Sequence, residues 1–73
     1  MSIEFSDHAK RQLKRRKISK KLVLSVIQNP LEITKSFRGR KLRRKQVGSK
    51  MLEVITRTEG SKITVITAYY LKK

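Results

Sequence analysis

Seventy-three residues without a cysteine leave room for one small domain, 1–73, and exclude a disulfide scaffold. Twenty Lys and Arg against five Asp and Glu, net +15, make a chain that repels itself when free and suits a polyanion or an acidic protein. The longest apolar run, Ala68–Leu71, is too short for a membrane span or a signal peptide, so a cytoplasmic protein that does not enter membranes is expected.

Met1–Phe5 is a short lead-in. Ser6 is a good N-cap, and Asp7 suits the positive end of a helix dipole, so a helix is expected from Asp7 to Lys17. Ala9 and Leu13 form its inner stripe, with Arg16 at the edge. Lys10, Arg11 and Lys14 fall on the solvated side, and His8, Gln12 and Arg15 share one flank. Ser19 caps a second helix whose inner stripe is Leu22, Val23, Val26 and Ile27. Asn29-Pro30 stops it, because a residue before proline avoids the helical region.

From Leu31 the period becomes two. Leu31, Ile33, Lys35 and Phe37 alternate with Glu32, Thr34 and Ser36 in a first strand, and Arg38-Gly39 makes a turn. Arg40–Val47 carries five cations. It is expected to be a strand because Gly39 and Gly48 bracket it and a hairpin would pair it with the apolar stretch that follows. Met51–Leu71, the most apolar part of the chain, forms two arms around Glu59-Gly60-Ser61. Strict alternation places Ile63, Val65, Thr67, Tyr69 and Leu71 on one face and Thr64, Ile66, Ala68 and Tyr70 on the other. The first face is expected to take the helices. The second, with Ile55 and Arg57, is expected to carry function. The whole is an α+β fold: two N-terminal helices packed on one face of a four-stranded antiparallel sheet.

Four short boxes stand in order along nearly the whole chain: Phe5-Ser6-Asp7-His8-Ala9, Arg16-Lys17-Ile18-Ser19, Gln28-Asn29-Pro30 and Val65-Ile66-Thr67-Ala68-Tyr69. They resemble a family of small prokaryotic domains of uncharacterised function, with an F-S-x-H-A start, R-x-I-[ST], N-P and a V-V-T-x-Y end. That family is similar in layout to the RelE and barnase-like ribonuclease toxins. The resemblance implies an RNA target, contact with the ribosome and restraint by an acidic antitoxin. The span from Leu31 to Gly48 is far more basic than the family pattern requires.

Metal-independent RNA cleavage needs a base, an acid and cations for the phosphorane charge. His8 is the only side chain whose reference pKa, about 6.5, lies near neutrality. His8, Thr67 and Tyr70 are therefore the catalytic candidates, Tyr70 doubling as a base-stacking platform. Against this, a first-turn histidine commonly just packs, and Thr67 falls on the apolar face by alternation. Arg15, Arg16, Arg38, Arg40, Lys41, Arg43, Arg44, Lys45 and Arg57 are the candidate phosphate ligands, although Arg16 could instead cap a carbonyl or pair with an acid. One histidine and five scattered acids cannot build a zinc site, and the three glycines form no phosphate loop, so neither metal nor cofactor is expected. Two functions follow: a toxin-type endoribonuclease, or a non-catalytic RNA- or DNA-binding module. Docking of an acidic protein is a third.

Overall fold

Ser6 and Ser19 start the helices as expected. The Ser6 hydroxyl accepts the Ala9 N–H at 3.0 Å and the Ser19 hydroxyl accepts the Leu22 N–H at 3.1 Å. Each satisfies a donor that a first helical turn leaves without an intrahelical partner. In the computed structural model, which describes residues 2–71, helix α1 spans Asp7–Arg16 and α2 spans Lys20–Gln28. Lys17, expected inside α1, instead ends it by turning left-handed at φ 57°. The Lys17 and Ile18 N–H groups then return to the Lys14 and Leu13 carbonyls, a Schellman closure that leaves Ile18 and Leu13 both buried.

The sheet departs from the expected one. Among the described residues it has five strands rather than four, and it is mixed rather than antiparallel. The lead-in is β1 (Ser2–Phe5), which pairs in parallel with the last strand. Then come β2 (Glu32–Lys35), β3 (Arg40–Val47), β4 (Lys50–Glu59) and β5 (Lys62–Leu71), an antiparallel meander as expected. The spatial order is β1-β5-β4-β3-β2. A short 3-10 turn, Phe37–Gly39, replaces the end of the expected first strand, with Arg38 left-handed at φ 57°. Gly60 at φ +59° turns β4 into β5.

Both helices lie on one face. Ala9 and Leu13 from α1 and Val23, Val26 and Ile27 from α2 form one buried cluster with Leu52, Val54, Ile63, Val65 and Ala68. α1 packs on β5, while α2 packs on β4 and β3.

A β-bulge in β5 overturns the expected alternation. Thr56 pairs with Val65, yet Ile55 pairs with Thr67, so Ile66 is an extra residue with no partner across the ladder. Beyond it the two faces exchange. Ala68 and Tyr70 join Ile63 and Val65 under the helices, and Thr67, Tyr69 and Leu71 turn to the uncovered face. Tyr70, expected on the functional face, packs against the core, and Tyr69 takes its place outside.

Candidate nucleic-acid interface

The register of β3, β4 and β5 builds the uncovered face row by row. In one row Arg44 stands opposite Glu53, and Glu53 opposite Tyr69. The next row is Leu42, Ile55 and Thr67, and the next Arg40, Arg57 and Thr64. Rows on one face are two residues, about 6.8 Å, apart. Arginines therefore flank an apolar strip, with about 14 Å between the outer rows.

Glu53 holds the first row together. Only 2% of it is exposed, although it lies on the face that carries no helix. One carboxylate oxygen accepts from Arg44 Nε at 2.6 Å, and the other accepts a hydrogen bond from the Tyr69 hydroxyl. Both oxygens are thus engaged, and a buried charge is tolerated because it is paired and hydrogen-bonded. Arg44 is held more firmly protonated than usual by that hydrogen bond and by the Glu53 charge. Tyr69 is pushed above the ordinary phenol range by burial first and by its bond to Glu53 second. Glu53 positions an arginine and an aromatic ring.

Arg16 completes the row from the helix layer. β1 pairs only with the first part of β5, so among the described residues the outer edge of β5 beyond Val65 has no strand beside it. Arg16 Nη1 donates to the Ala68 carbonyl at 2.8 Å and to Thr67 Oγ1 at 3.3 Å on that edge. Its guanidinium lies 6.0 Å from the Tyr69 ring centre. It therefore does cap a carbonyl, and it also brings a cation to the uncovered face.

The other sequence-derived candidates divide. Arg40 and Arg57 are exposed on the uncovered face, Arg57 with its Nε 3.3 Å from a Glu59 oxygen. Thr67 joins them there rather than the core. Arg38 is exposed in the 3-10 turn, and Arg15 is exposed on α1. Lys41, Arg43 and Lys45 alternate to the covered side. Arg43 is 9% exposed, donating from Nε to Thr56 Oγ1 at 3.2 Å and from Nη1 to the Ile27 carbonyl at 3.3 Å. It thus closes the last turn of α2, where the helix dipole favours a cation. With Ile3, Ile27, Gln28 and Ile63 it lines a cavity of about 350 Å³.

His8 is exposed in the first turn of α1 and makes no side-chain hydrogen bond among the described residues. Tyr70 is half-buried on the covered face, with the Lys50 ammonium 5.2 Å from its ring centre. The three catalytic candidates therefore do not converge. Sequence reasoning missed the Glu53–Tyr69 pair. Its one available signal was a lone acid inside the apolar arm, which a hairpin count from Gly48-Ser49 sets opposite Arg44. Among the described residues no group of three or more His, Cys, Asp or Glu is placed to hold a metal, and no helix is long and apolar enough to cross a membrane.

A family model described as a domain of unknown function, DUF4258, matches residues 5–70. Comparison with the curated proteins and with the solved structures returns no match.

Proposed function

This chain belongs to the DUF4258 family of unknown function, and we propose that it binds nucleic acid, RNA foremost, along the uncovered face of its sheet. The observation that carries this is the placement of Arg40 directly opposite Arg57 on that face. Like charges in such a pair are destabilising, and an anion between them reverses the sign. Arg44 lies four residues further along β3, with Arg16 beside the same row. The spacing suits every second phosphate of an extended strand. Tyr69, its ring held by Glu53, offers a stacking surface between the cations.

The test is the affinity for single-stranded RNA across a salt series. Contacts to about six phosphates give a log–log slope of roughly −4 to −5. Replacing Arg40, Arg44 and Arg57 together by Ala should shallow the slope by about 2 and weaken binding about 100-fold. Replacing Lys41 and Lys45 on the covered side should do far less. An affinity indifferent to salt, or equal losses from both sets, removes the basis for this assignment.

A metal-independent endoribonuclease of toxin type, acting on free or ribosome-bound RNA and restrained by an acidic antitoxin, is the second function. What favours it is a phenol and a carboxylate in contact beside two guanidinium groups. Incubation of total RNA with wild type, Tyr69→Phe and His8→Ala separates the roles. A general acid or base lost by substitution lowers cleavage by about 10²–10⁴-fold. Loss on Tyr69→Phe alone assigns the phenol, and loss on His8→Ala alone assigns the imidazole. No cleavage by wild type leaves binding without chemistry.

A further inference from the structure

The two edges of the sheet are treated differently. On one side β1 is the edge strand, and beyond its end the uncovered stretch of β5 has its Ala68 carbonyl occupied by Arg16 and its ladder interrupted by the Ile66 bulge. Both devices discourage a further strand. At the opposite edge stands β2, whose four residues are all exposed. The Ser36 N–H donates to the Arg40 carbonyl at 2.8 Å, and Thr34 pairs with Leu42 and Glu32 with Arg44. By antiparallel alternation, Ile33 and Lys35 then turn their N–H and C=O groups away from the sheet. Beside these backbone groups, which have no partner strand among the described residues, two large apolar side chains stand on the surface: Leu31 is 71% exposed and Ile33 50%. Lys35 and Lys41 stand opposite each other on the same side, cation against cation, and Lys45 follows on β3.

We propose that the β2 edge receives an extended acidic segment of another protein as a sixth strand. Leu31, Ile33 and Lys35 are two residues apart and share one side of the strand, so the segment's residues on that side are apolar beside Leu31 and Ile33 and acidic beside Lys35, within reach of Lys41. The backbone edge supplies affinity and the alternation supplies register. A second copy of this chain is the poorer occupant, because each copy carries +15 and would bring Lys35 toward more cations. An acidic segment turns the same charge into attraction. The surface is separate from the arginines of the uncovered face, so it stands or falls independently of nucleic-acid binding.

The probe is a synthetic peptide of roughly a dozen residues whose alternate positions on one side read Glu, Glu, Glu, Val, Val, Val, with Thr between them, long enough to run the length of β2. Its control has the same sequence with alternate backbone amides N-methylated, which keeps the charge and blocks strand pairing. At physiological salt the unmodified peptide should bind at least about tenfold more tightly than the control. It should also protect the Ile33 and Lys35 amides from hydrogen exchange in the wild-type protein, which the control should not do. Lys35→Pro removes an outward N–H without touching the ladder to β3, and should weaken the peptide by about tenfold more than Lys35→Gln does. Equal affinity for the two peptides would mean attraction by charge alone and would overturn the assignment. So would unchanged exchange at Ile33 and Lys35. A concentration-dependent dimer abolished by Lys35→Pro would give the edge to a second copy instead.

Discussion

Among the described residues each face of the sheet buries one charged side chain, and the two are handled in opposite ways. Under the helices Arg43 is satisfied by neutral acceptors, the Thr56 hydroxyl and the Ile27 carbonyl. On the uncovered face Glu53 is satisfied by a cation and a phenol, Arg44 and Tyr69. Arg43 thus ends its role inside the fold, closing α2. Glu53 transmits its role outward, since both its partners reach the surface. Arg43 and Arg44 are neighbours in a basic run, and the pleat alone sends one to stability and the other to recognition.

The largest expected effect follows from this asymmetry. Glu53→Ala leaves a void in a buried row and leaves Arg44 and Tyr69 without their common acceptor, and should destabilise the fold by about 2 kcal/mol in a urea titration. It should weaken RNA binding as well, because the ring and the guanidinium lose their fixed positions. A destabilisation below that of Arg43→Met would mean that the uncovered face is no more than a solvated surface.

The next effect compares adjacent cations. Arg44→Ala should weaken single-stranded RNA binding about tenfold, or about 1.4 kcal/mol, and Lys45→Ala only about twofold. Equal losses would show that RNA reads net charge and ignores the face. Smaller again is Arg43→Met. A flexible apolar chain of similar length replaces a buried cation whose partners are neutral, and Thr56 Oγ1 still lies 3.4 Å from the Lys41 carbonyl. We expect about 1 kcal/mol of destabilisation and an RNA affinity close to wild type.

Much of this was legible in the sequence where the cause was local. Ser6 and Ser19 declare the helix starts, Asn29-Pro30 declares an end, and Gly48 and Gly60 declare the hairpins. Even the cation-laden Arg40–Val47 proved a strand, because its neighbours supplied the pairing. Parallel pairing of Ser2–Phe5 with Lys62–Val65 joins the two ends of the chain and leaves no local mark. The bulge at Ile66 is equally silent, since no glycine or proline stands there. A period-two count from Ile63 therefore places Thr67 and Tyr69 on the covered side and Tyr70 outside, the reverse of what the ladder does. The candidate site suffered most, because its aromatic residue lies beyond the bulge. His8 carried a titration argument and no geometric one, and the structure leaves it out on α1.

The smallest expected effect isolates the Tyr69–Glu53 contact by pH. Burial and the bond to Glu53 hold the Tyr69 phenol protonated in the folded chain, so its folded pKa lies above the unfolded value of about 10. The sign then follows from linkage. The contribution of Tyr69 to stability is fully present below pH about 10 and is lost as pH rises through the folded value. The many lysines titrate over the same range, so the informative quantity is the difference between two proteins. Tyr69→Phe should be less stable than wild type by about 1 kcal/mol or less at neutral pH, from the lost hydrogen bond. As pH is raised past the phenol's range, the two stability curves should converge, because wild type loses the contact that the variant never had. Curves that stay parallel through the alkaline range would show that the phenol does not depend on Glu53. The uncovered face would then have lost its organising contact, and Tyr69 would be an ordinary surface aromatic.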